Sequence, residues 1–489
     1  MENCLETVAH PAAATALTTS QAAVWLKVKC AAHGDNFNVA EAVDIVGEID
    51  LAQFLAALQK VADETESARL RLLDTEDGPR QIVEPCFSGE LPYLDFSRER
   101  DPEAAAEAWM RADYSRIIDL VRGRPWLSAL LRTARERYIW YHRSHRILPD
   151  GSDHGRTAHR LAAVYSALDQ HHPLPAAAPL PSIAQQLQDE NAYRESARYA
   201  ADRNYWTGRL HDAPAPLSLS LQRHFNGDAL LRQSACFPAA GVQALRSIAH
   251  KLEISLPQLL IAVTAAFLHR ASGVTDMLVG VAAGMTGTMP LRLALNAELS
   301  FEELMRDVGR QMRQISLHQS YPCEELRHDL RMLSGKRQLF STVIKAESSH
   351  CDLRFGSHPA RLRQLCDGSA EDLAITIYER GAGRDLEINF DANPATHSAQ
   401  MLAEHQRRLL TFLAAASHSP AQKIGQLELA DATGRKHLAA GAGDADHAIA
   451  DSRLAALIEQ QLTRKEPAIA LRFEGEPSPP RHGAEDSRS

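Results

Sequence analysis

The sequence predicts an α/β protein made of two similar lobes, each a mixed sheet with flanking helices. Three observations carry that expectation. Strand-like and helix-like patterns alternate in both halves of the chain. His171 to Ser182 is rich in Pro and Ala and has the composition of a linker between the halves. Leu256 to Arg270 reads as a long buried helix, with Ser255 as its cap and Pro257 in its first turn.

In chain order, Thr18 to Leu26 begins a helix that Thr19 or Ser20 can cap, and Val24 and Trp25 open its apolar face. Glu41 to Ile49 reads as a strand, with Val43, Ile45 and Ile49 on one face and Asp44 and Glu48 on the other. Leu51 to Ala62 is an amphipathic helix. Leu70 to Leu73 and Gln81 to Val83 form a hairpin around Asp77-Gly78-Pro79. Met277 to Val281 and Leu339 to Ile344 read as strands in the second half. Leu373 to Tyr378 and Leu386 to Phe390 pair as a hairpin around Gly381-Ala382-Gly383, and Ser398 to Ala414 is a closing helix. The apolar residues from Leu304 to Met312 recur at helical spacing and are core.

Composition narrows the function. A chain of 489 residues, 45% hydrophobic and 24% charged, is ordinary for a soluble globular protein and long enough for about three domains. A net charge of -9 repels a phosphate backbone, so nucleic acid is set aside as a partner. The longest mostly apolar stretch, Leu256 to Leu268, is too short to span a membrane, and Met1 to Ala16 lacks the pattern of a signal peptide. A cytoplasmic location is the expectation. The seven cysteines form no C-x-x-C pair and are expected to be reduced thiols, with no metal site.

The chain is organised around Trp140 to Gly151. Arg135 to Tyr141 reads as a buried strand carrying a β-branched and aromatic run, and Pro149-Asp150-Gly151 is a turn signal that breaks it. Thr157 to Leu168 then has helical spacing. Two histidines, two arginines and an aspartate therefore sit where a strand turns into a helix, a place that holds side chains rigidly yet opens onto a cleft. If the strand persists to Arg146, the period of two puts His142, Ser144 and Arg146 on one face and His145 on the other. Ser152-Asp153-His154 is not a triad, because adjacent residues cannot converge as nucleophile, base and orienter. There is no phosphate-binding glycine loop and no H-E-x-x-H.

His145-Arg146-Ile147-Leu148-Pro149-Asp150-Gly151 resembles the His-His-x-x-x-Asp-Gly signature of condensation domains of nonribosomal peptide synthetases, with Arg146 in place of the second His. The flanks extend the resemblance. Gln21 followed by Trp25 resembles the family's opening motif, and Glu66-Ser67-Ala68-Arg69 stands where the family has His-Glu-x-Leu-Arg. Leu91 to Asp95 and Ala104 to Leu120 follow its order of strand, then helix. Tyr199, Asp202, Tyr205 and Trp206 resemble the next motif, and His318-Gln319-Ser320-Tyr321-Pro322-Cys323-Glu324 resembles His-Gln-x-x-Pro-Phe-Glu. Lys345 follows the strand where relatives often have Asn. A segment near Met285 and Thr286 is shortened and lacks the family's Gly-Arg pair. The resemblance covers about Leu17 to Leu427, and Leu454 to Gly475 resembles the start of an adenylation domain that is then cut short.

The resemblance implies a chloramphenicol-acetyltransferase-like fold in which the two lobes form a V-shaped pseudo-dimer. It implies a flexible N-terminus at 1–16, an N-terminal lobe at 17–170, an interlobe linker at 171–190 and a C-terminal lobe at 191–430. A linker and truncated, partly disordered adenylation start fill 431–489. It also implies amide formation between an acyl donor and an amine acceptor, both thioesters on phosphopantetheine arms of carrier proteins. No cofactor is expected to be bound directly. Carrier proteins and other synthetase subunits are the implied partners. The implied site residues are Arg146, His145, Asp150 and Gly151, with His142 as a substitute base. His145 is structural in this scheme, and Asp150 pairs with Arg146 or Arg143 or caps the following helix. A guanidinium cannot act as a general base, because its pKa lies above ~12. The expectations are therefore an impaired condensation enzyme, a non-catalytic module that binds carriers or recruits a tailoring enzyme, or a decayed synthetase fragment.

Overall fold

The computed structural model describes residues 14–30, 36–149, 154–176, 181–220, 231–282, 287–330, 339–348, 353–368, 372–381, 383–426, 471–473 and 476–478. The chain divides into two units, Met1–Leu429 and Ala430–Ser489. In the second unit the described residues form one antiparallel hairpin, Leu471–Phe473 with Glu476–Ser478. The adenylation-like tail otherwise lies outside the described residues.

The first half of the large unit runs β1 (Thr15–Ala16), α1 (Thr19–Cys30), β2 (Asn38–Val46), α2 (Leu51–Glu64), β3 (Leu70–Thr75), β4 (Gly78–Val83), β5 (Tyr93–Asp95), α3 (Pro102–Tyr114), β6 (Trp126–Ala134), β7 (Arg137–His145) and α4 (His154–Asp169). Local chemistry sets these boundaries. The Asp50 carboxylate accepts the Gln53 N–H at 3.0 Å and caps α2, and Asp101 does the same for α3. Strands β1, β4 and β3 make a small sheet that contains the expected hairpin.

The second half runs α5 (Ile183–Glu195), α6 (Ala197–Leu210), β8 (Leu231–Phe237), α7 (Ala239–Lys251), α8 (Leu256–Ser272), β9 (Asp276–Ala282), β10 (Thr288–Ala294), α9 (Phe301–Leu317), α10 (Cys323–Asp329), β11 (Thr342–Ser348), β12 (Leu353–Phe355), β13 (His358–Asp367), β14 (Leu373–Glu379), β15 (Leu386–Ala392) and α11 (Ala399–His418). Helix α8 has the expected punctuation. Ser255 and Gln258 form a capping box, Pro257 sits in the first turn, and Gly273 ends the helix at φ +74.

Two six-stranded mixed sheets organise the unit. Their orders are β12-β13-β2-β7-β6-β5 and β10-β9-β11-β14-β15-β8. In the first, only β5 and β6 pair parallel; in the second, β11 runs parallel to both β9 and β14. The first sheet packs one face on α2 and α4, through Trp140, Leu130, Phe54 and Leu161, and the other on α3, through Tyr141, Leu131 and Met110. The second sheet packs its Ile375, Ile377, Ile388 and Phe390 face on α7, α8 and α11.

The structure corrects the sequence reading in two places. The interlobe linker does not run to residue 190, because α5 begins at Ile183, capped by Ser182. And β12 and β13 do not join the sheet of their own half. They cross to the first sheet, where β13 pairs antiparallel with β2 from Ala360↔Ile45 to Asp367↔Val39. A strand partner more than 300 residues away leaves no local trace in sequence.

Candidate active site

The expected central strand is β7, extending from Arg137 to His145. Tyr138, Ile139, Trp140 and Tyr141 suit a strand buried on both faces. Its antiparallel partners are β2 and β6, in register at Asn38↔His145 and Trp126↔Ser144. Alternation divides its side chains. Trp140 and His142 face the α2–α4 core, and Tyr141, Arg143 and His145 face α3.

Each histidine is fixed. The His142 ring is buried, stacked at 5.7 Å from Trp140 and tilted at 5.2 Å from Trp126. His145 is 3% exposed, with its ring 5.9 Å from Phe37. The Ile147 N–H donates to His145 Nδ1 at 3.1 Å, so Nδ1 is an acceptor and the proton of the neutral ring sits on Nε2. Burial, then the Arg143 and Arg146 guanidiniums, pushes the His145 pKa down to about 3. His145 is therefore neutral across the working range of pH and terminates the strand.

On the same face, the Asp113 carboxylate accepts the Tyr141 hydroxyl at 2.8 Å and Arg143 Nε at 2.7 Å. Arg143 thus has a buried ion-pair partner in Asp113. Asp150 and Gly151 lie outside the described residues, as do Met285 and Thr286.

Arg146 is the first residue past the strand. Its backbone N–H donates to the Phe37 carbonyl at 2.9 Å, while its side chain is exposed. The guanidinium reaches to the end of β13. There Nη2 donates to the Asp367 carbonyl and the group lies over Gly368. Asp367 in turn accepts Lys345 Nζ from β11 of the second sheet. Glu347, two residues further on the same strand face, has its carboxyl pKa raised, chiefly by desolvation, although solvent reaches it. The structure therefore does not gather His142, Ser144 and Arg146 on one face. It brings Arg146 together with Asp367, Gly368 and Lys345. Sequence marked Lys345 as unusual, but nothing in it connected Lys345, Asp367 or Gly368 to Arg146.

Two separated motifs also meet. His318 Nδ1 lies 2.7 Å from the buried Asp202 carboxylate, and the His318 ring stacks on Tyr205 at 3.9 Å. Trp206 Nε1 donates to the His318 carbonyl at 2.9 Å, and Tyr193 OH donates to the other Asp202 oxygen at 2.8 Å. Every contact of this cluster locks α6 and α5 to the end of α9, which is a structural task.

Residues 12–439 match the family model of the condensation domain. The chain belongs to the condensation-domain family of nonribosomal peptide synthetases. This condensation domain is 33% identical over 426 residues to a dimodular nonribosomal peptide synthase of Bacillus subtilis (strain 168), covering 84% of this chain and 18% of that protein. It is 34% identical over 430 residues to an isonitrile lipopeptide synthase of Streptomyces coeruleorubidus, covering 85% and 29%. The chain thus spans less than a third of the length of these relatives. Among solved structures, a mutant of the starter condensation domain of rhizomide synthetase in complex with C8-CoA superposes with a TM-score of 0.77 at 33% identity, covering 85% of this chain and 97% of that one. The first condensation domain of the calcium-dependent antibiotic synthetase, in complex with a substrate analogue, gives 0.77 at 28% identity, covering 86% and 100%. The α/β fold with two mixed sheets is the fold of these domains.

Proposed function

We propose that this condensation domain joins a thioester-bound acyl group to the amine of a carrier-bound acceptor, far more slowly than its relatives. The amine nitrogen attacks the thioester carbon, the C–N bond forms and the C–S bond breaks. The thiolate leaves as thiol, taking up the proton that the amine gives up. The reaction needs orientation, a proton acceptor and support for the oxyanion. One observation carries the reading: the residue that leaves the strand end is a guanidinium held at Asp367, and both nearby imidazoles are buried in fixed packing. Arg146 can stabilise negative charge but cannot accept a proton. His142 is walled in by Trp126 and Trp140, which argues against it as a substitute base.

The donor arrives on a phosphopantetheine arm, either of a carrier protein or of coenzyme A; the C8-CoA bound to the rhizomide starter domain supports the second source. Carrier proteins and neighbouring synthetase subunits are the partners of this reading, and it places the protein in the cytoplasm. Among the described residues, no single helix is long and apolar enough to cross a membrane. The engagement of Arg146 with Asp367 also favours a second reading, a non-catalytic module that binds loaded carriers or recruits a tailoring enzyme.

The test is an amide-forming assay with a loaded acceptor carrier and either an acyl carrier or an acyl-CoA, with product read by mass spectrometry. A missing general base predicts a rate ~10²–10⁴-fold below that of an intact relative assayed alongside. Arg146→His is expected to raise it. A native rate equal to the relative's would overturn the impairment. Silence of both forms, with carrier binding retained, would favour the binding module.

A further inference from the structure

Asp367–Gly368 is the corner at which the chain leaves the first sheet. Strand β13 ends at Asp367, and β14 of the second sheet begins at Leu373. Five residues, reaching at most ~18 Å when extended, make the passage. The corner is therefore tied to both sheets by the backbone alone. It is also gripped by one cation from each.

From the first sheet, Arg146 Nη2 donates to the Asp367 carbonyl. Its guanidinium lies so close to Gly368 that a Cβ there would stand 2.7 Å from Nε and 3.1 Å from Cζ. Gly368 also holds φ +74, the left-handed region that side chains avoid. The turn requires glycine, and a side chain there would displace the guanidinium from its seat. From the second sheet, Lys345 Nζ pairs with the Asp367 carboxylate, and both side chains are largely buried, at 16% and 20% exposure. A second contact holds the same strand to the same sheet: Arg232 on β8 donates Nη1 to the Gln364 carbonyl at 2.5 Å while binding Asp391 through Nε and Nη2 at 2.6 and 2.7 Å.

The Arg146 backbone and side chain thus have different anchors. The backbone is fixed within the first sheet by Phe37, and the guanidinium is fixed by a corner whose place depends on Lys345. We infer that Asp367 and Gly368, held by Lys345, position the Arg146 guanidinium, so that the register between the two sheets is transmitted to the end of β7. Lys345, Asp367 and Gly368 are positioning residues: they act through Arg146. The placement stands on geometry alone, while its effect on rate rests on the proposed acyl transfer.

The test is labelling of the intact chain with phenylglyoxal, an arginine reagent, with rates read for each arginine by peptide mass spectrometry. Lys345→Met is expected to speed labelling of Arg146 at least threefold, and Lys345→Arg to keep the native rate. Exposed Arg100 and buried Arg143 should stay as they are in the native protein. Equal Arg146 rates in all forms would overturn the inference. So would equal acceleration by Lys345→Met and Lys345→Arg. A double-mutant cycle decides the case if Lys345→Met also exposes Arg143 through unfolding. Backbone strain from Gly368→Ala is the same with or without Arg146, whereas the clash with the guanidinium is not. Gly368→Ala should therefore lower the unfolding midpoint at least twice as far in the native chain as in Arg146→Ala. Equal shifts would overturn the inference. Neither readout needs a substrate, so absence of amide product sinks the proposed reaction and leaves this placement standing.

Discussion

The two six-stranded sheets bury different kinds of surface. The first is covered on both faces by apolar side chains around Trp140 and Tyr141. The second has an apolar face only where α7, α8 and α11 lie. Its register puts Lys345 and Glu347 of β11, Thr376 and Tyr378 of β14, and Asn389 and Asp391 of β15 together on the other face. Thr376, Tyr378, Asn389 and Asp391 are all buried there. The contrast separates two tasks. The first sheet is a rigid support that fixes the end of β7. The second meets the crossing strand β13 through ion pairs and polar contacts, the kind of seam that permits relative movement.

The largest effect should come from the rigid side. Trp140 is fully buried and its Nε1 donates to Ser128 Oγ at 2.6 Å. Trp140→Ala should cost about 3–5 kcal/mol in chemical unfolding; a loss below ~1 kcal/mol would break the claim that this sheet rests on tight apolar packing. Acid should come next. His145 is held down to about 3 and His405 of α11 to about 4, each chiefly by burial, against ~6.5 when unfolded. The unfolded chain therefore binds more protons, and stability falls as pH drops from ~6.5 toward these values. Each site contributes up to ~1.4 kcal/mol per pH unit within that window. His145→Asn should flatten the slope of the unfolding midpoint against pH; an unchanged slope would show that His145 titrates normally.

The sequence made one side of this contrast more legible than the other. Helix α8 announced itself through Ser255, Pro257 and an apolar run, and β7 through four consecutive β-branched and aromatic residues, because local chemistry decides both. The strand His358–Asp367 gave no such sign. Arg361, Arg363 and Gln364 make it look like a surface segment, and its partner β2 is set by tertiary topology. At the site, the substitution at Arg146 was plain from the resemblance. Its contact with Asp367 was not, since 221 positions separate the two and the accepting atom is a backbone carbonyl that no side-chain pattern records.

The finest test sets one buried hydroxyl from each sheet against the other. Ser128 on β6 is buried and accepts the Trp140 Nε1–H. Thr376 on β14 is equally buried, yet its Oγ1 has no hydrogen-bond partner among the described residues. Removing an acceptor strands its donor, so Ser128→Ala should cost about 1–3 kcal/mol. Removing a hydroxyl that bonds nothing strands nothing, and valine has nearly the shape of threonine. Thr376→Val should therefore change stability by less than ~0.5 kcal/mol or raise it, because the desolvation cost of an unpaired hydroxyl disappears. The measurement is a pair of urea unfolding curves. A loss above ~1 kcal/mol for Thr376→Val would mean that its hydroxyl is satisfied by an ordered water at the seam. The polar face of the second sheet would then be as fully bonded as the apolar faces of the first are packed, and the contrast between them would be one of chemistry and not of rigidity.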